Sequence, residues 1–336
     1  MSHRIGKNTV VLDNQVSIHD AVGVAGQKES KGPLGSYFDL TLSDDKLMQP
    51  TWEKAESALQ TTAVDLLLKK TQLMKESIDV ILAGDLLNQC ISSTFGLRSF
   101  DIPFLGQYGA CSTMAQTMAV GSIFVDSGAV NNAIAVTSSH FCSAERQFRL
   151  PIEYGGQRTP SAQWTVTGSG AALLDRSGCG PFVREVTIGR INDYTVKDAN
   201  NMGAAMAPAA ADTILRYFED TSERPESFDL ILTGDLGRVG SSLLIELLQR
   251  EGLDISSNHR DCGLLIFDTD TQDVHSGGSG CGCCASVFCS YIRRLLKTGG
   301  LRNILLIATG ALMSPTSSQQ GESIPGIAHL LHITAQ

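Results

Sequence analysis

The chain has 336 residues, 42% of them hydrophobic and only 18% charged, enough for several domains or one large body with extensive buried cores. A net charge of −9 excludes a protein that grips nucleic acid through a basic face, and no apolar run reaches the roughly 20 residues of a bilayer crossing. The opening MSHRIGKNTVVLDNQ lacks the apolar centre of a secretory signal, and nine irregularly spaced cysteines are expected to be reduced thiols in a cytosol-like compartment.

In chain order, the first strong element is a helix opening at Thr51. Thr51 is suited to cap it, and Glu53 falls in the first turn, where the helix dipole favours an acid. Trp52, Ala55, Leu59, Ala63, Leu66 and Leu67 then recur at near-helical spacing. Residues 78–86, IDVILAGDL, read as a buried strand ending at Gly84-Asp85. Next come Gly109-Ala110-Cys111-Ser112 and an unusually apolar helix over 112–127, whose one charge is Asp126. A strand over 133–138 follows, then the charged segment HFCSAERQFRLPIEYGGQR (140–158) and the small-residue strand TVTGSGAALLD (165–175).

The second half repeats this order, the signature of an internal duplication. Residues 228–236, FDLILTGDL, repeat 78–86 at an offset of 150 (228 − 78), which lays Gly234-Asp235 on Gly84-Asp85. Residues 299–309, GGLRNILLIAT, repeat 128–138, GAVNNAIAVTS, at an offset of 171. At that offset SGCGCCAS (279–286) lies on YGACSTMA (108–115). A helix over 204–220 matches the one at Thr51. Pro208 is tolerated only near a helix start, so this helix is expected to begin at or just before Ala207. The second buried helix is expected over 283–297. Such alternation implies parallel sheets covered by helices, in two halves, 1–175 and 176–336, the first carrying a capping loop over 140–165.

Cys111 heads the first buried helix. There the free N–H groups and the dipole would lower its pKa, and small neighbours would admit a substrate carbonyl to an oxyanion hole. Those are the needs of acyl transfer to sulfur. The plainer reading is a buried, inert thiol. The run YGACSTMAQTMAVGSIFVDSGAVNNAIAV resembles the nucleophile elbow of thiolases and type III ketoacyl synthases. TVTGSGAALLD resembles their Gly-rich FGDGAGAVVL strand, and SGCGCCAS their YGNTSAAS turn. The resemblance implies an α/β, thiolase-like fold whose two duplicated halves give five layers, α-β-α-β-α.

More closely, GPLGSYFD (32–39), PTWEKAES (50–57), GDLLNQC (84–90), LGQYGACSTMA (105–115) and LTGDLGRVGS (232–241) resemble the stage V sporulation protein AD family. That resemblance implies a noncatalytic protein that binds dipicolinic acid (pyridine-2,6-dicarboxylate), with or without calcium. It implies a part in dipicolinate transport during sporulation and spore germination, peripheral on the cytoplasmic face of the forespore or spore inner membrane. The expected partners are membrane proteins of the same spore transport complex and a second copy of the chain, through the 105–140 region. No cofactor, metal or nucleic acid is expected.

A condensing enzyme also needs a His with an Asn or second His, or a second Cys as proton shuttle. In register with the synthases the His falls on Gly234, followed by Asp235, and the Asn falls on Cys281. The thiolase acid/base Cys would lie near Ala308-Thr309-Gly310, where there is none. Asp235 would repel a developing oxyanion. Cys111, Gly234, Asp235 and Cys281 are therefore expected to line a binding cleft, with His140 near its mouth. Arg146, Arg149 and Arg158, beside Phe148 and Tyr154, are candidates to meet a dianion, with Lys28, Lys31 and Arg98 behind them. Cys281, Cys283 and Cys284 lack the paired spacing of structural zinc. The alternative function is an active acyltransferase or condensing enzyme with Cys111 as nucleophile.

Overall fold

Asp79 and Asp229 occupy equivalent places in the repeat and make the same bonds. In the computed structural model, which describes residues 2–149 and 158–335, Asp79 accepts the N–H groups of Asn131 (2.6 Å) and Asn132 (2.9 Å). Asp229 accepts those of Arg302 (2.7 Å) and Asn303 (3.0 Å). The amides of Asn132 and Asn303 in turn donate to the carbonyls of Ser77 and Ser227. Each carboxylate thus pins the entries of two neighbouring strands in register. Gly128 and Gly299, both at φ 78°, end the preceding helices in the left-handed conformation that glycine adopts without strain.

The main sheet runs in space as His259–Asp261, Leu230–Thr233, Asn303–Ala311, Gly326–Thr334, Phe182–Thr187, Thr9–Ala25, Gly168–Asp175, Ala133–Ser139, Val80–Gly84 and Phe104–Gly106. It divides into two sets of five. Numbered along the chain, both sets follow the order 1-5-4-2-3 from the centre outward. They meet where Thr9–Ala25 pairs antiparallel with Phe182–Thr187. A register shift between Val11 and Val16 marks that pairing, and from Ser17 onward the strand pairs with Gly168–Asp175. The three outer strands of each set are parallel, but Gly168–Asp175 and Gly326–Thr334 run antiparallel to both neighbours. The sheets are therefore mixed, against the expectation of parallel ones. The apolar pattern of a strand buried on both faces does not encode its direction.

Trp52–Thr71 covers the first set from outside and Met202–Thr221 the second, while Thr113–Ser127 and Cys281–Val287 lie between them, giving five layers. Thr51 caps the first helix as expected, accepting the N–H of Lys54 at 3.3 Å. Cys281–Val287 continues through a π-turn, Phe288–Ile292, into Arg293–Thr298. It can approach the first set only because that strand carries glycine: a Cβ on Gly170 would lie 2.3 Å from the carbonyl oxygen of Ala285. Asp126 is buried and accepts the N–H groups of Ser2 (2.7 Å) and Asn14 (2.8 Å), tying down the N-terminal segment.

Met202–Thr221 starts earlier than expected and runs through Pro208, capped by Asn201. Proline removes one bond to the carbonyl of Ala204, but the turn ahead of it is held by packing. A Cβ on Gly203 would be 2.7 Å from the backbone nitrogen of Gly240, so the two helices touch backbone to backbone. Among the described residues no helix is long and apolar enough to cross a membrane.

Candidate functional site

The turn that carries Cys111 is built from short local bonds. Ala110 sits at φ 50°, the Ser112 hydroxyl donates to the Gly109 carbonyl (2.6 Å), and the Thr113 hydroxyl donates to that of Ala110 (2.6 Å). Ser112 precedes the helix that Thr113 opens, without a side-chain capping bond, so the thiol stands just ahead of its first turn. From behind, Gly310 closes the turn. A Cβ there would lie 2.3 Å from the Gly109 oxygen and 3.0 Å from the Ser112 nitrogen. The resemblance to thiolases puts their acid/base cysteine near this position, and here a side chain would collide with the turn. Cys111 is 9% exposed, packed with Leu86, Ala144 and Cys281 and flanked by Phe148.

Strand Leu230–Thr233 delivers Asp235 to the same point. Oδ2 accepts the N–H of Gly280 (2.8 Å) and the hydroxyl of Ser279 (3.0 Å), and Oδ1 accepts the hydroxyl of Thr309 (2.8 Å). The Asp235 carbonyl accepts from the Gln163 amide at 2.6 Å. The Cys111 thiol lies beside this group, with Sγ 3.9 Å from the Ser279 hydroxyl that Asp235 holds. Burial pushes the Cys111 thiol well above its ordinary pKa, and the charge and hydrogen bonding of Asp235 add to that push. This overturns the expectation of a lowered pKa. A helix N-terminus offers about half a unit charge, too little against full desolvation and a neighbouring carboxylate. Burial also raises the pKa of Asp235, opposed first by the Gly280 N–H.

Gly234 is tightly packed as well: a Cβ would stand 3.1 Å from Cα of Ala308 and 3.2 Å from the nitrogen of Thr309, so the neighbouring backbone would have to give by a few tenths of an ångström. An imidazole could not replace it without moving the neighbouring strand. Cys281 is fully buried and donates to the carbonyl of Ser138 at 3.0 Å. Burial, then Cys111, raises its pKa well above the ordinary value.

The structure thus brings Cys111, Gly234, Asp235 and Cys281 together and places the other candidates elsewhere. His140, expected near the cleft mouth, is buried with both ring nitrogens engaged by backbone: Nε2 donates to the Asp45 carbonyl (2.8 Å) and Nδ1 accepts the Cys142 N–H (3.1 Å). Burial lowers its pKa. Arg146 is exposed and pairs with Glu53 at 3.5 Å. Arg158 pairs with Glu145 and lies 4.7 Å from the ring centre of Trp164, which Lys28 approaches to 3.9 Å. Lys31 is exposed, and Arg98 stands over Phe95. The side chain of Arg149 and all of Tyr154 lie outside the described residues. On the Tyr108 side of the turn a hollow of about 240 Å³ is lined by Asn88, Gln89, Tyr108, Leu312, Met313, Ser314 and Ser317.

Sequence reasoning missed Ser279, Thr309 and Gln163, the partners of Asp235, although the first two fall inside the repeated segments. It also missed Glu56, which is buried without a cationic partner among the described residues and accepts the hydroxyls of Ser138 (3.3 Å) and Ser143 (2.5 Å). Burial, then Asp85, raises its pKa well above the usual carboxylate range.

A cysteine turn at the head of a central helix, between two strand sets of one order, defines a thiolase-like protein. Two solved structures share the fold: 3-oxoacyl-acyl-carrier-protein synthase III from Aquifex aeolicus VF5 and OleA from Xanthomonas campestris bound with cerulenin. The first has TM-score 0.58 and 11% identity over 95% of this chain and 99% of that one. The second has TM-score 0.61 and 14% identity over 96% and 97%. Identities this low speak for the fold alone. Within that class the chain belongs to the stage V sporulation protein AD family, whose profile matches residues 6–334. It is 47% identical to stage V sporulation protein AD of Bacillus subtilis (strain 168) over 324 residues, 96% of each chain.

Proposed function

We propose that this protein binds dipicolinic acid, with or without calcium, without condensing chemistry, and takes part in its transport during sporulation and spore germination. The observation that carries the noncatalytic part is Asp235. Where a condensing site needs donors for a developing oxyanion, a carboxylate stands beside Cys111, and burial together with that carboxylate keeps the proton on the sulfur. Removing one oxyanion donor typically costs about 3 kcal/mol of transition-state stabilisation, and here a negative group stands in the donors' place. The hollow beside the turn supports small-molecule binding: Tyr108, Leu312 and Met313 offer apolar walls for one ring, and the amides of Asn88 and Gln89 offer donors. Membership of a sporulation family supports the cellular setting.

The edge strand Phe104–Gly106 is exposed at all three residues and paired on one side only, which supports a homodimer through this region. Docking on membrane proteins of the spore transport complex, at the cytoplasmic face of the inner membrane, completes the proposal. The retained turn geometry favours a second reading, an acyltransferase using Cys111. Intact-mass measurement after incubation with acyl thioesters separates the two. An unmodified chain whose melting point rises with dipicolinate is expected. An acyl adduct absent from Cys111→Ala would overturn the noncatalytic reading.

A further inference from the structure

Ser279 and Asp235 reach Cys111 from different sheets. Ser279 lies on strand Gly278–Ser279, which pairs in parallel with Trp164–Thr165 as a separate two-stranded sheet. Asp235 follows strand Leu230–Thr233 of the main sheet. Among the described residues no ladder joins the two sheets, so their spacing rests on individual bonds. Gln163, the residue just before Trp164, makes two of them with one group. Its amide Nε2 donates to the carbonyl of Asp235 (2.6 Å) on one side and to that of Gly278 (2.8 Å) on the other.

The orientation of this amide is determined by its neighbours. A primary amide has two N–H donors, and both find carbonyl acceptors; turned over, its oxygen would face the same two carbonyls. Gln163 is buried, its own carbonyl accepts Nη1 of Arg158 (3.1 Å), and its Oε1 has no partner among the described residues. Stability alone does not select such a group, because a buried oxygen left without a donor offsets much of what the two bonds contribute. What the bonds do is hold the Asp235 turn against the strand that carries Ser279. There Oδ2 of Asp235 takes the Ser279 hydroxyl (3.0 Å) and the Gly280 N–H (2.8 Å), beside the sulfur of Cys111. We propose that Gln163 is a positioning residue: it fixes the Asp235 carboxylate relative to Ser279 and so to Cys111. This rests on the reading of Asp235 given above, as a group that keeps Cys111 from acting as a nucleophile.

The test is the alkylation rate of Cys111 across pH in the full chain, read by peptide mass mapping with the buried Cys289 as reference. Gln163→Met removes both donors at nearly constant volume. The N–H of Arg238 still donates to the Ser276 carbonyl (2.8 Å) and ties the two segments, so the variant should fold. Its Cys111 rate should rise about fivefold, the weight of one hydrogen bond of ordinary strength, and its pH profile should move to lower pH. Gln163→Glu, which as a neutral acid keeps one of the two bonds, should fall between. The same change is then made in an Asp235→Asn background. A residue that acts through the Asp235 charge should add nothing there, whereas general loosening adds equally in both backgrounds. An equal rise in both, or a rise matched by Cys289, would overturn the proposal. So would wild-type labelling of Cys111 in Gln163→Met. Asp235→Asn alone separates the two readings. If it leaves Cys111 unchanged, the carboxylate has no hold on the thiol and the role of Gln163 falls with it. If it responds and Gln163→Met does not, only the positioning role is lost.

Discussion

Replacing Asp235 by Asn is the most informative single perturbation of the site. The substitution is nearly isosteric. Its amide nitrogen can take the Oδ1 side, where the Thr309 hydroxyl can turn from donor to acceptor, and leave an oxygen for the fixed Gly280 N–H. Reversing one hydroxyl should cost about 1 kcal/mol of stability. The electrostatic effect on Cys111 is larger. At an effective dielectric of about 20, a unit charge roughly 5 Å from a forming thiolate opposes it by about 3 kcal/mol, or about two decades in thiolate population. A more acidic thiol is also a weaker nucleophile, with a Brønsted coefficient of about 0.4–0.5, which returns about one decade. Alkylation of Cys111 at fixed pH should therefore rise about tenfold in Asp235→Asn. Iodoacetamide labelling followed by peptide mass mapping reads this directly. A rate at or below wild type would refute the view that Asp235 holds the thiol protonated.

Other expectations follow from the same geometry. Gly310→Ala should cost about 1–3 kcal/mol of unfolding free energy by overpacking and displace the Cys111 turn; an unshifted urea midpoint would count against the contact. Glu29 is buried, with Oε1 on the Thr167 N–H (3.0 Å) and Oε2 unpartnered among the described residues, and burial pushes its pKa up to about 8. A raised carboxyl pKa gives stability that is complete below about pH 4.5 and declines as pH climbs through 8, by at most about 5 kcal/mol. Glu29→Gln should lack that decline, gaining on wild type between pH 5 and 9 in urea titrations, and parallel curves would contradict it. His329 accepts the Gly189 N–H at Nδ1 (3.2 Å), and burial pushes its pKa down to about 4. Its contribution is present above about pH 6.5 and lost as pH falls toward 4, so His329→Asn should flatten the acid limb of stability. An equally steep limb would refute this.

Much of the fold was legible because the repeat is written in residues with fixed jobs. Asp79 and Asp229 hold strand entries, and Gly128 and Gly299 end helices, so their spacing survives where side chains differ. Strand direction and the start of Met202–Thr221 were not legible, since both are decided by backbone contacts with distant segments. At the site, the sequence placed Cys111 beside Asp235 but gave the wrong sign for the thiol. The dipole is a local property readable from order, whereas burial and the Ser279, Gly280 and Thr309 bonds to Asp235 come from three separate segments. Arg146 and Arg158 read as free cations in sequence, and folding supplies Glu53 and Glu145 as partners.

The central claim is a small-molecule site beside the Cys111 turn that needs no covalent chemistry. Calorimetric titration with dipicolinic acid, with and without calcium, on wild type, Cys111→Ala and Cys111→Trp tests it most directly. Saturable binding that survives in the Ala variant and disappears when a bulky Trp displaces the turn beside the hollow is the predicted result. A folded wild-type protein that takes up no dipicolinate in either condition would contradict it.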